Sequence, residues 1–268
     1  MQRIILFLTL SMPLDLPCQL VATGSIPVNN KFVAVEKNVF YLLGSTRIPL
    51  QILKYGNNKN VVMISLHDDE TTSVAAAKKV LKKTGGQLIR IENEKKRYIT
   101  FMHQGKSVRF DPNRIFTRNG IVSTLREQNV SFPTTAIKSV DGFAKFLLKK
   151  IPSTHTVIAL HNNEDGGLSV HSYAKGGVHE KNAIAVHRNN SYDPDNFFFT
   201  TDRRLSRSLS ETGYNVVYQN NRKAIDDGSL SIHYGRKNKS YVNIETEDGM
   251  QRIQERMIES VVKRVKKR

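Results

Sequence analysis

Val61-Val62-Met63-Ile64-Ser65-Leu66-His67-Asp68-Asp69-Glu70 is the stretch on which the fold turns. Its first six residues form a near-continuous apolar run, the signature of a strand buried on both faces. Four polar residues follow at once. Thr72 to Lys83 is then helical in character, rich in Ala and Lys, and Gly85-Gly86 stops it. A buried strand, a short polar turn and a helix make one unit of an open α/β sheet, in which ligands bind outside the carboxyl ends of the strands.

The same unit recurs along the chain. Thr156 to Leu160 is a second buried strand, and Gln87 to Ile91 and Tyr98 to Met102 are strand candidates joined by a polar turn over Glu92 to Lys96. Helices are expected over Gly120–Gln128, Val140–Lys150, Arg203–Thr212 and Asp248–Lys263, and strands over Asn215–Tyr218 and Tyr241–Glu245. This alternation predicts an α/β fold with a mostly parallel sheet covered on both faces. With no repeat, low-complexity tract or linker in view, residues 25–268 are expected to form a single domain.

The N-terminus reads differently. Met1-Gln2-Arg3, an apolar stretch from Ile4 to Pro13 and the small residues Ala22, Thr23 and Gly24 follow the order of a secretory signal, so residues 1–24 are expected to be a signal peptide and the protein to be exported, periplasmic or secreted. The apolar stretch is too short for a transmembrane span. Cys18 is the only cysteine, which excludes an internal disulfide. Lys and Arg number 41 against 24 Asp and Glu, a formal net charge of +17 that favours anionic surroundings. Only Lys263-Arg264-Val265-Lys266-Lys267-Arg268 forms a basic run, and no pattern of interleaved aromatics marks a specific nucleic-acid module.

Chemistry-bearing residues gather at the strand ends. His67 and Glu70, three residues apart in a tight turn, can face one point, and His161 directly follows the second buried strand. Parallel strands that deliver histidines at their carboxyl ends can converge on one ion. Zinc with two His, one carboxylate and an open position is a hydrolytic site type. The plain alternative is two unrelated loop histidines. Arg109-Phe110-Asp111-Pro112-Asn113-Arg114 is a dense polar cluster in which Arg114 can grip a carboxylate and Asn113 can donate beside it, or simply a turn at Asp-Pro-Asn. In Tyr241-Val242-Asn243-Ile244-Glu245-Thr246-Glu247, a carboxylate at the strand's end can move protons for a metal-bound water, or can favour the next helix through its dipole.

Taken in order, His67–Glu70, Asp111–Arg114, His161 and Glu245 resemble the motifs of the zinc carboxypeptidase superfamily, including its succinylglutamate desuccinylase and aspartoacylase branch. The similarity runs from about residue 55 to about residue 260 and is specific only at the motifs. It implies a three-layer α/β/α sandwich with a mixed, mostly parallel central sheet. It also implies one Zn2+ on His67, Glu70 and His161, a substrate carboxylate or acyl group on Asn113 and Arg114, and Glu245 as general base and acid. The superfamily's oxyanion arginine has no clear counterpart; Arg97 and Arg109 are the candidates. Asp68 stands where the family has glycine, Pro112 breaks the second motif, and Glu247 competes with Glu245. Histidines 103, 155, 171, 179, 187 and 233 match no motif. The implied activity is hydrolysis of a peptide or N-acyl amide bond, with peptidoglycan peptides as the substrate an exported basic protein would meet. The alternatives are a small-molecule N-acyl amino acid deacylase, and a basic surface-binding protein that keeps the fold without catalysis.

Overall fold

The computed structural model describes residues 32–58, 60–152 and 156–265. Residues 1–24, read as an export signal, and His155 lie outside them. Among the described residues the strands are β1 (Ala34–Leu43), β2 (Thr46–Tyr55), β3 (Val61–Ser65), β4 (Gly86–Ile91), β5 (Ile99–His103), β6 (Lys106–Phe110), β7 (Thr156–Asn163), β8 (Ala183–His187), β9 (Phe197–Thr200), β10 (Asn215–Gln219) and β11 (Tyr241–Glu247). The helices are α1 (Thr71–Thr84), α2 (Arg118–Gln128), α3 (Thr135–Lys150), α4 (Arg203–Ser210), α5 (Leu230–Arg236) and α6 (Gln251–Val265). None is long and apolar enough to cross a membrane.

Nine strands form one mixed sheet in the order β1-β2-β4-β3-β7-β11-β9-β10-β8. Its centre, β4-β3-β7-β11, is parallel throughout. Every residue of β3 is buried, as the apolar run requires. One face of the sheet packs on α2 and α3 through Ile121, Leu125, Val140, Phe143 and Leu147. The other packs on α1, α4 and α6 through Val80, Leu81, Leu205, Leu209, Ile258 and Val262. The three-layer sandwich with a mixed sheet is therefore what the chain builds.

One pairing departs from expectation. β4 and β5 do not form a hairpin across Glu92–Lys96. β4 is already flanked by β2 and β3, which leaves it no free edge. β5 instead pairs with β6 in a separate two-stranded sheet. The β1–β2 hairpin also escaped prediction, because most of the edge strand β1 is exposed and carries no clean apolar alternation.

The 3-10 turn over Pro112–Arg114 is seated by close backbone contact. Asp111 caps it by accepting from the Asn113 N–H. Gly120 and Gly228 meet behind it: a methyl built on Gly120 would lie 2.2 Å from the Gly228 Cα and 2.5 Å from the Arg114 carbonyl oxygen. Only a missing side chain permits that approach, and backbone cannot yield as a flexible side chain does. We expect Gly120→Ala to destabilise the protein by about 1–3 kcal/mol, read as a lower denaturant midpoint at unchanged m-value. An unchanged midpoint would show that the contact is not tight.

Candidate metal centre

β3, β7 and β11 are adjacent and parallel, so their carboxyl ends open on the same side of the sheet. His67 follows β3, while His161 and Glu245 are direct register partners on β7 and β11. All three side chains are buried. Glu70 joins them from the start of α1.

Glu70 occupies the N-cap position, where a carboxylate ordinarily accepts from the first-turn N–H groups. It does not do so here. The Ser73 N–H is taken by the Asn162 side chain, 2.9 Å away on β7. The Glu70 carboxylate is thereby left free for the site, where Oε1 lies 2.9 Å from His67 Nδ1 and 2.9 Å from an Arg97 nitrogen. His161 Nδ1 bonds the same Oε1 at 3.3 Å and lies 3.1 Å from Oε2, a buried oxygen that takes part in no hydrogen bond. A buried carboxylate oxygen left unpaired beside a histidine nitrogen suits a shared ion.

The donor set fits a metal on chemistry as well. One ring nitrogen each of His67 and His161 and a Glu70 oxygen lie within 4.8 Å of one another. The far side of the His67 ring is held by Asp111, whose Oδ1 lies 2.8 Å from Nε2. A carboxylate behind a ligating histidine fixes its tautomer and raises its basicity, as in zinc sites generally. Asp111 belonged to a recognised motif, but its reach to His67 depends on the turn geometry and was not legible in the chain. The second group of carboxylates, Asp165, Asp195 and Glu247, shares no residue with this one.

Electrostatics follow from the burial. Burial opposes the charged form of His67, but the Glu70 charge and the Asp111 hydrogen bond outweigh it and hold the ring up to about 9. Burial likewise opposes the Glu70 carboxylate, and the two histidines overcome it and hold the group well below the usual range. Asp111 is held down to about 2 by His67 against the same burial. Glu245 goes the other way. Burial raises it and the Glu70 charge adds to the rise, against the pull of His161, Asn243 and Arg97.

A cavity of about 510 Å³ opens over the cluster and is lined by Arg97, Asn113, Arg114 and Glu245 besides the two histidines and Glu70. Glu247 is not among its lining residues and pairs in register with Asn163. Arg97 reaches it on a loop pinned by Asp68. Buried Asp68 accepts from Arg90 and from the N–H groups of Asn93 and Lys95. Arg109 does not line the cavity; it is exposed, with its guanidinium over the Tyr98 ring. The alternation of β6 explains this, since Val108 and Phe110 point inward. Arg114 extends to Asp227 at 2.8 Å in a half-exposed pair, the kind of pair worth little on its own. Of the histidines without a motif, His103 bonds Thr135 and His233 faces the Phe116 carbonyl, both away from the cluster.

No protein-family model matches the chain, and no curated protein does. Solved structures align over most of its length. A candidate metallopeptidase from Shewanella denitrificans OS217 shares 14% identity over 86% of this chain and 82% of its own, with a TM-score of 0.39. A succinylglutamate desuccinylase/aspartoacylase from Rhodobacter sphaeroides shares 14% over 88% of this chain and 66% of its own, with a TM-score of 0.40. Thrombin activatable fibrinolysis inhibitor shares 10% over 89% and 70%, with a TM-score of 0.44.

The metal-free protein has a defined pH response. An unfolded histidine titrates near ~6.5, and His67 in the folded chain titrates at about 9. The stability this contributes is complete below the unfolded value and is lost as pH rises through the folded one. Chelator-treated protein is therefore expected to lose denaturant midpoint between about pH 6.5 and 9, with the slope reduced in His67→Asn. A midpoint that is flat or rising over that window in chelator-treated wild type would contradict the assignment.

Proposed function

We propose that this protein is a zinc-dependent hydrolase of amide bonds, acting on a peptide or N-acyl amino acid with a free carboxylate. One observation carries the reading: His67, Glu70 and His161 converge in a cavity that also holds Glu245, Arg97 and Arg114. Two imidazoles, one carboxylate and the Asp111 support behind His67 suit zinc. When bound there, the ion supplies Lewis acidity, polarising a carbonyl and easing the ionisation of water.

The chain's own residues do the rest. Asn243 donates to one Glu245 oxygen at 2.8 Å, which fixes the carboxylate's orientation and leaves its other oxygen for the reaction. Raised by burial, Glu245 is suited to take a proton from attacking water and return it to the leaving amine. Arg97 offers N–H donors where charge develops on the carbonyl oxygen. Arg114 and Asn113, which also line the cavity, hold the substrate carboxylate and so place the bond to be cut. Peptides of the cell wall belong to this substrate class, and their choice rests on the signal-like N-terminus and the basic charge.

Purified protein is expected to carry about one zinc per chain, and His161→Ala to lose it, by elemental analysis. Glu245→Gln is expected to keep the zinc and lose about 10²–10⁴-fold in turnover of peptide or N-acyl amino acid substrates. Undiminished turnover in Glu245→Gln would remove Glu245 from the reaction. Zinc bound with no turnover of either class would favour a binding protein that keeps the fold.

A further inference from the structure

At one end the sheet runs on beyond its helical cover. β8 is the last strand in the order and pairs with β10 alone among the described residues. α4 lies over the strands before it, where Leu205 and Leu209 cluster with Phe198 and Val216. A groove of about 740 Å³ is left between α4 and β8. Ile184, Ala185 and His187 line it from β8, Tyr218 from β10, and Arg203 and Arg207 from α4.

The floor follows from the strand register. Ala185 lies opposite Tyr218 and His187 opposite Val216, so these four side chains share the face that α4 covers only in part. The register slips between Tyr218 and Gln219, a bulge that leaves Ile184 with no residue opposite it. Ile184 is 58% exposed and lines the groove. The other face of β8 is ordinary core, where Ala183 and Val186 pack on Val170, Phe197, Phe199 and Val217.

The wall is basic. Leu205 and Leu209 take the buried side of α4, which leaves its arginines and serines outside. Arg203 and Arg207 are exposed, and their guanidinium groups make no ion pair or hydrogen bond among the described residues. Glu211 is the one carboxylate lining the groove, and it pairs with neither arginine. A neighbouring depression of about 350 Å³ shares Arg203 and Arg207 and adds Arg204. Uncompensated positive charge therefore stands beside an apolar floor.

Spacing selects the form of the ligand. Arg203 and Arg207 are about 6 Å apart along the helix axis. Alternate side chains of an extended peptide stand on one side about 6.6–6.8 Å apart, so carboxylates two residues apart match the two guanidiniums. A guanidinium offers donors only and grips a carboxylate bidentately. The residue between the carboxylates is then free to lie against Ile184 and Ala185. A phosphate polymer matches the charges but brings no apolar group to this floor.

We propose that the groove between α4 and β8 docks an extended acidic peptide segment of a protein partner, with carboxylates two residues apart on Arg203 and Arg207 and an apolar residue between them. This stands independently of the hydrolytic reading, because the groove shares no residue with the metal cavity.

The test titrates full-length protein into labelled octapeptides, read by fluorescence anisotropy. The peptides are blocked at both ends, so that no terminal carboxylate is offered to Arg114. Salt at about 0.1 M screens attraction beyond about 10 Å. A peptide alternating glutamate and leucine is expected to bind about tenfold tighter than glutamate–serine and lysine–leucine peptides, and than a pentathymidylate of equal charge. Arg203→Ala with Arg207→Ala is expected to weaken it about tenfold. Arg252→Ala with Arg256→Ala removes the same charge from exposed positions on α6 and is expected to cost less than about twofold. Ile184→Ser is expected to abolish the preference for leucine over serine. Undiminished binding without Arg203 and Arg207 would overturn the proposal, as would equal losses in the two double variants. Pentathymidylate bound as tightly as the peptide would make this a phosphate surface and overturn it as well. Should the Arg203 and Arg207 variant lose its thermal transition, Ile184→Ser decides, and an unchanged preference for leucine then overturns the proposal.

Discussion

A carboxylate in a nearly dry place organises this molecule. Glu70 is 4% exposed, and an unpaired charge so buried would not be tolerated. Everything around it answers that constraint. His67 and His161 bring their Nδ1 atoms to its two oxygens, Arg97 adds a guanidinium, and the ring of His67 is steadied from behind by Asp111. Even the helix it starts has given up the usual capping bond, which Asn162 supplies from the neighbouring strand. A cation centred among these donors satisfies the same constraint with fewer protons, because the histidines then act as neutral ligands.

How the strands are ordered decides how accurately this can be done. β3, β7 and β11 are neighbours in the parallel centre, so His161 and Glu245 take their spacing from the sheet, and His67 sits two residues beyond the end of β3. Groups held on rigid elements keep their geometry better than groups on loops. The arginines that line the cavity are mounted differently. Arg97 rides on a loop pinned by Asp68, and Arg114 on a 3-10 turn wedged against the two glycines. The histidines and Glu70 are buried, while Arg97 and Arg114 are half exposed.

Much of this could be read along the chain, and the misses have physical causes. β3 and β7 were legible because strands buried on both faces become continuous apolar runs, and their ends pointed to His67 and His161. The edge hairpin β1–β2 was not legible, since an edge strand is only half buried and loses its period. The partner of β5 was misassigned because nothing local reveals that both edges of β4 are occupied. Asp68 looked like a departure from a motif. In the fold it is the anchor of the Arg97 loop, a role that exists only once Arg90, Asn93 and Lys95 are folded around it. Arg109 and Arg97 were equivalent candidates until strand alternation turned one outward and the loop turned the other in.

Asn243 shows how the sheet sets the geometry of the cluster. Residues two apart on a strand point to the same face, so the Asn243 amide nitrogen reaches a Glu245 oxygen at 2.8 Å. Glu245 in turn sits in register with His161 across the β7–β11 pairing. The orientation of this buried carboxylate therefore follows from the alternation of β11, and its place beside His161 from the register, so that neither depends on a loop.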